Sequence, residues 1–383
     1  MIGDVQKMNV RFNKKLGIVV TFIAFMWPIL SAEDSYDEFS IVADSDNQND
    51  IAVYGDTVVW DESYQIYGYS LSKGEKFLIS SAGLMPAIYG NIVIWVESRN
   101  SEYGIYGRDL STWEDFQVFS SPETIYYPAI HETTVIWSED SKEFWDILGI
   151  DLVTRNRFRV TNKGSVYSTK GASIYANVIV WEDYRNGNPD VYGYDLSTST
   201  EFQIKADIYY QSNPAIFGDI VVYDDDRNGN VDIYGYNLLT GKEFQITSNN
   251  SDQYYAAIYK NIVVWVDERN AVRREELIPG IENFDVYGYN LETDHEFPVT
   301  TASNDQVFPV IYEDIVVWED YRNCTERELL GNVVKVNSDI YGCRLPKTAI
   351  ESWDKGIERE DGGVCSGAFV LPLAVIAGLL RRL

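Results

Sequence analysis

One run of oxygen-bearing side chains has the spacing of a metal loop: Asp224-Asp-Asp-Arg-Asn-Gly-Asn-Val-Asp232. Asp224, Asp226 and Asn228 stand at alternate places and Gly229 follows, which is how a calcium loop opens: hard oxygens, then a sharp turn. Asp232 adds a further carboxylate. The twelfth place, where such a loop needs a bidentate carboxylate, is Gly235. The competing reading is an acidic Asn-Gly hairpin turn that needs no ion. Calcium at Asp224, Asp226, Asn228 and Asp232 is the single metal expectation, and no other cofactor is expected.

Nucleophile–base chemistry finds little to work with. The chain has two histidines, His131 and His295, and neither accompanies a Ser or Cys in a recognisable nucleophile setting. Both read as loop residues. Paired carboxylates could serve a glycosidase, but 59 acidic residues do not single out a pair. The three cysteines are too dispersed for a metal cluster. A Cys324–Cys343 disulfide suits an exported chain, yet Cys343 lies along a strand while Cys324 sits in a turn, a separation beyond bonding reach unless the loop folds back.

Charge recurs in register. Arg99, Arg185, Arg227, Arg269 and Arg322 alternate with Asp146, Asp190, Asp232, Asp285 and Asp339. Such a series is either a functional ring of charge or a set of hairpins in which each Asp caps its turn and pairs with an Arg. Its presence in most repeats favours the structural reading. Two hairpins break the period, at 270–284 and 323–338, and long loops on a rigid scaffold are favoured recognition surfaces. Arg273, Arg274, Arg327 and Lys335 give them positive charge on an acidic body, so these four are the candidate binding residues. Asn249 and Asn323 match the glycosylation acceptor pattern.

The elements that must carry these residues follow from a repeat. Trp181-Glu-Asp-Tyr-Arg-Asn-Gly-Asn-Pro-Asp-Val-Tyr-Gly-Tyr-Asp195 follows Ser173-Ile-Tyr-Ala-Asn-Val-Ile-Val180 and precedes Glu201-Phe-Gln-Ile204. This reads as four β-branched and aromatic strands, with Asn186-Gly187 as a tight two-residue turn. The central aromatic recurs as Trp60, Trp95, Trp137, Trp181, Tyr223, Trp265 and Trp318. A period of 40–45 residues with four strands per unit is that of a β-propeller, and seven copies predict seven blades. The Gly of the third strand is expected to let a bulky aromatic of a neighbouring blade approach the backbone. The fourth-strand pattern occurs six times after a third strand, and its seventh copy, Glu38-Phe-Ser-Ile41, stands ahead of the first repeat. Residues 38–42 are therefore expected to close the ring as the outer strand of blade seven, removing an open edge.

The run Asp226-Arg-Asn-Gly-Asn-Val-Asp-Ile-Tyr-Gly-Tyr-Asn-Leu238, with Thr240-Gly241 and Phe244-Gln-Ile-Thr247, resembles the propeller repeat of TolB-type proteins, closest to tandem copies in archaeal and bacterial surface proteins. The resemblance spans about residues 38–345 through all seven copies. It implies the fold, and is silent on chemistry because propellers host binding, scaffolding and catalysis alike. The helical-sheet domain that precedes the propeller in TolB has no counterpart here.

The two ends read as sorting signals. Lys7, Arg11, Lys14 and Lys15 precede an apolar stretch from Leu16 to Leu30 and then Ser31-Ala32, a secretory pattern. Val364 to Leu380 is a 17-residue apolar run ending in Arg381-Arg382, short but sufficient for an anchor. The expected organisation is a signal at 1–32, a leader at 33–37, an all-β single seven-bladed propeller of four-stranded antiparallel blades at 38–346, a charged linker at 347–363 and a hydrophobic sorting or transmembrane tail at 364–383. A net charge of −28 argues against nucleic acid as a partner. The functional expectation is an exported, surface-anchored, non-catalytic scaffold or adhesion module that binds a cell-envelope protein or glycan through the long-loop face. The alternatives are an extracellular carbohydrate-active hydrolase or lyase using channel carboxylates, and an envelope assembly factor of TolB type.

Overall fold

The structure, a computed structural model, describes residues 37–350 except 45, 141–144, 162–165, 167–170, 272–282, 324, 330–331 and 337; for 325–329, 332–336 and 347–348 it describes the backbone alone. The signal, the tail, most of the charged linker, Arg273, Arg274 and Cys324 lie outside the described residues. No helix among those described is long and apolar enough to cross a membrane.

Seven four-stranded antiparallel sheets follow one another along the chain. Blade four shows the plan, with Ser173–Tyr175, Val178–Asp183, Asp190–Asp195 and Thr200–Lys205 in sequential order. The second strand of each blade is the most buried. Val58, Val59 and Trp60 are fully enclosed, as are Val180 and Trp181, Val263 to Trp265, and Val316 to Trp318. These residues alternate between the two neighbouring interfaces. Val59 packs with Trp95 of blade two, whereas Val58 and Trp60 pack with Val317 and Ile340 of blade seven. Because strand side chains point alternately to the two faces, an unbroken Val-Val-Trp run marks a sheet buried on both sides.

Blade seven draws its outer strand from the other end of the chain. Glu38–Val42 pairs antiparallel with Asp339–Arg344, placing Phe39 opposite Gly342. In the other six blades the ring of the fourth-strand Phe lies across the third-strand Gly of its own sheet. A Cβ on Gly193 would come 2.5 Å from the Phe202 ring, and one on Gly342 would come 3.2 Å from Phe39. The aromatic that needs the glycine thus belongs to the same blade and not to a neighbour.

Asn186-Gly187 also differs from the expected turn. The strands end at the Asp183↔Asp190 pair, which leaves a six-residue loop. Within it Gly187 N donates to Tyr184 O at 3.0 Å. Gly187 has φ of 94°, and Asn186 is not among the positive-φ residues. This is a four-residue turn with Gly in last place, not a two-residue hairpin. The period supplied no length for that loop, which is why the two could not be separated from sequence.

Residues 347–350 are not a free tether. They form a short helix, Lys347–Ile350, whose Ala349 is buried in the core shared by blades six and seven. Asn290 Nδ2 donates to Ala349 O at 2.8 Å. Cys343 is a free, fully buried thiol in that core, where burial pushes its pKa up.

Candidate functional site

The repeated charges are built into the blades. Asp183, with no exposure, accepts from Trp181 Nε1 at 3.0 Å and from the backbone N, Nε and Nη2 of Arg185. Arg185 also reaches Glu201 on strand four and lies 4.3 Å above the Tyr192 ring. Blade six repeats this with Trp265, Asp267, Arg269, Glu296 and Tyr287, and blade seven with Trp318, Asp320, Arg322 and Tyr341. In blade seven the strand-four acid is Glu38, 2.8 Å from Arg322. The arginine partner is thus the aspartate that ends strand two, not the one that opens strand three as the spacing implied. The strand-three aspartates are held by the loop asparagines: Asn186 to Asp190, Asn270 to Asp285 and Asn323 to Asp339. Asn323 spends its amide nitrogen on that bond and on the Tyr341 hydroxyl, which opposes glycan attachment there. Blade three has no such arginine, and the buried Trp137 Nε1 lacks a partner among the described residues.

The calcium expectation meets the same network. Asp232 accepts from Asn228 at 2.7 Å and Gln245 at 3.1 Å, while Asp226 accepts from Tyr210 N at 2.8 Å. Asp224 instead accepts from Asn213 Nδ2 and from Tyr255 N of the next blade. Alternation along the strand sends Asp224 to one interface and the turn residues to another, so the four do not converge. Among the described residues no group of three or more candidate ligands could hold a metal ion. Of the long-loop cations, Arg327 and Lys335 fall on an added hairpin, Thr325–Leu329 with Asn332–Val336, where Arg327 pairs with Val334 and Lys335 with Glu326.

The channel is where the blades differ, and its two ends are unlike. At one end the last residue of every first strand is aromatic: Tyr54, Tyr89, His131, Tyr175, Phe217, Tyr259 and Tyr312. Neighbouring ring centroids lie 4.5–4.9 Å apart around a closed circuit, with planes inclined 44–57°. Each plane is turned by about a seventh of a circle from the last, a seven-membered aromatic iris whose contacts suit tilted ring packing. His131 belongs to it. Its Nδ1 accepts from Ala176 N at 3.2 Å, and burial lowers its pKa. It is a packed member of the iris at the end of a first strand and not the loop residue expected.

At the other end the channel widens into a mouth of about 440 Å³, within the usual size of a ligand site. Asn49, Asp50, Met85, Tyr127, Tyr255, Phe308, Glu319 and Tyr321 line it. A bulge in six first strands puts these residues there: two residues face one across the register breaks at Asn49/Ala52, Leu84/Ala87, Tyr126/Ala129, Ser212/Ala215, Tyr254/Ala257 and Val307/Val310. The first residue inside each break takes a positive φ: Asp50, Met85, Tyr127, Asn213, Tyr255 and Phe308. For bulky residues that conformation is costly, and a bulge re-aims the side chain.

Below the bulges lies the residue after each central aromatic: Asp61, Val96, Ser138, Glu182, Asp224, Val266 and Glu319. Met85 N donates to Asp61, Asn213 N to Glu182 and Tyr255 N to Asp224, each across a blade boundary. Burial, with the nearby charge of Asp50, pushes the Asp61 carboxyl up to about 7. The folded chain therefore keeps a proton that the unfolded chain releases near pH 4, so this group's contribution to stability falls as pH rises from about 4 to about 7. Asp61→Asn should flatten that part of a stability–pH profile measured by urea unfolding. Equal slopes in parent and variant would show that the pair does not titrate in this way. Glu243 acts in the opposite sense. Its bonds to Arg227 hold it down at about 2, so its contribution is lost as pH falls from about 4.5 toward 2.

No protein-family model and no curated protein sequence matches the chain. Solved structures do. An oligogalacturonate lyase from Vibrio parahaemolyticus aligns with a TM-score of 0.57 at 11% identity, over 83% of this chain and 96% of that one. The β-propeller domain of the Trilobed protease from Pyrococcus furiosus, described as having an open velcro topology, aligns at 0.55 and 13% identity over 73% and 90%. TolB from Acinetobacter baumannii aligns at 0.46 and 16% identity over 76% and 78%. At such identities the likeness is one of fold: the chain is an all-β, seven-bladed propeller of four-stranded antiparallel blades, similar in architecture to the lyase and protease propellers.

Proposed function

We propose that this chain is an exported, surface-held binding module that takes a glycan or protein ligand at the loop-face mouth of its channel. The observation that carries the reading is the contrast between the channel's ends: an aromatic iris rings one, and a roomy mouth walled by residues that vary from blade to blade opens at the other. Export and anchoring rest on the apolar ends of the sequence. The mouth lies on the face of the strand-two-to-three loops, since its walls come from the starts of first strands and the end of a second strand. The added hairpin of blade seven borders the same face.

A second reading, a hydrolase or lyase, draws on Asp50, Asp61 and Glu319. Against a glycosidase stands the closeness of Asp50 to Asp61, which hydrogen-bond to one another, whereas flanking catalytic carboxylates stand about 5–9 Å apart. A binding and turnover screen of the full chain against envelope glycans and envelope proteins separates the two. Saturable binding without product supports the module. Turnover that is lost with Glu319→Gln and kept when 324–337 is shortened would overturn it.

A further inference from the structure

We propose a second interaction surface on the iris face, separate from the mouth: the groove between blades five and six, which takes a short apolar peptide segment of a partner protein. The groove has a volume of about 890 Å³ and is walled by Phe217, Ile220, Asn237 and Phe244 of blade five and by Tyr289 and Leu291 of blade six. The molecule itself shows what such a groove accepts. In the equivalent place between blades six and seven, the chain lays down its own Leu345–Ile350 segment. Leu345 and Ala349 are buried in one cluster with Ile262 and Phe297, and Ile350 packs against it. There Ile262, Phe297 and Asn290 are all buried. Their counterparts by strand register in blade five, Ile220, Phe244 and Asn237, stay partly exposed.

An independent feature points the same way. The residue that ends the third strand is Asp109, Asp151 and Asp195 in blades two to four, and Asn237 and Asn290 in blades five and six. The aspartates accept from their own turns, through Ser111 N, Thr154 N and Ser197 N. The asparagine oxygens do the same, from Thr240 N in blade five and Glu292 N in blade six, each at 2.9 Å. An amide in place of a carboxylate then leaves a donor to spare. In blade six that donor, Asn290 Nδ2, is spent on the main-chain carbonyl of Ala349 at 2.8 Å. In blade five Asn237 Nδ2 has no partner among the described residues, and Asn237 lines the open groove. The donor that holds a main-chain carbonyl in one groove is thus repeated, unused, in the next, beside apolar walls that suit a small apolar side chain.

The test titrates the full chain by calorimetry with an end-capped peptide, Leu-Pro-Lys-Thr-Ala-Ile, the sequence of residues 345–350. It should bind saturably, one per chain, with a Kd of about 1 mM or tighter. The same peptide carrying Ala349→Asp should bind at least about tenfold more weakly, since its carboxylate would enter an apolar pocket. In the protein, Asn237→Asp keeps the turn acceptor, as Asp195 does, and removes the donor. It should weaken binding about fivefold or more at an unchanged melting temperature. Asn290→Asp should do the reverse, lowering the melting temperature and leaving peptide binding as it was. No saturable binding up to about 10 mM, or binding indifferent to Asn237→Asp, would overturn the assignment. Binding that Asn290→Asp strengthens and Asn237→Asp leaves alone would show the probe displacing the chain's own segment from its groove, and would overturn it too. Binding that appears only once residues 351–363 are deleted would give the groove to the chain itself and remove the partner.

Discussion

Asp267→Ala will destabilise the propeller by about 3 kcal/mol or more, the range for breaking a buried ion pair. The carboxylate is fully enclosed and accepts from Trp265 Nε1 at 2.9 Å and from three nitrogens of Arg269 at 2.7–2.9 Å. Its loss strands a buried indole N–H and leaves the guanidinium with Glu296 and the Tyr287 face alone. Asp285→Asn should cost much less. That carboxyl is pushed up to about 6 by burial and by Asp267, and the amide can still meet Asn270. Urea midpoints of the two variants check the ordering. A loss below about 1 kcal/mol for Asp267→Ala would put the pair in the class of surface bridges and remove the blade tie from the account.

Deleting residues 33–44 should be worse. The strand Glu38–Val42 buries Ile41 and Val42, lays Phe39 across Gly342 and gives Arg322 its second carboxylate. At about 1.5–3 kcal/mol per buried apolar side chain, its loss removes about 5 kcal/mol or more. It also exposes Asp339–Arg344 as an open edge, so the shortened chain should self-associate as well as melt earlier. Light scattering and thermal unfolding measure both. A monomer as stable as the parent would show that blade seven does not depend on its borrowed strand.

The sequence made the architecture readable because propeller packing repeats. A Val-Val-Trp strand, a Tyr-Gly-Tyr strand and a Phe strand return in the same order, and in most blades each meets equivalent neighbours. What the repeat hid was geometry inside one blade. Asp183 and Asp190 are seven residues apart in sequence yet directly paired, so spacing alone could not say which one Arg185 would choose. The same limit applies to Asp224, whose side chain leaves the turn for the next blade.

The mouth was legible in principle by the opposite rule. The first strands read Gln48-Asn-Asp-Ile-Ala, Gln253-Tyr-Tyr-Ala-Ala and Gln306-Val-Phe-Pro-Val, constant at the first place and free at the third. A position that varies inside an otherwise regular repeat is not holding the repeat together. Attention to the long loops passed over it, because no periodic pattern announces a bulge. The constant glutamines show the structural counterpart: Gln48, Gln253 and Gln306 are wholly buried.

The central claim is that the ligand enters the channel mouth, and the most direct measurement is the affinity of Tyr255→Ala and Phe308→Ala for whichever envelope ligand the full chain binds. The account predicts that each weakens binding about tenfold or more, as aromatic anchors do, while Trp113→Ala, on an exposed outer turn, leaves it unchanged. Undiminished binding by both mouth variants, with loss on shortening 324–337 alone, would contradict it and move the site out to the hairpin of blade seven.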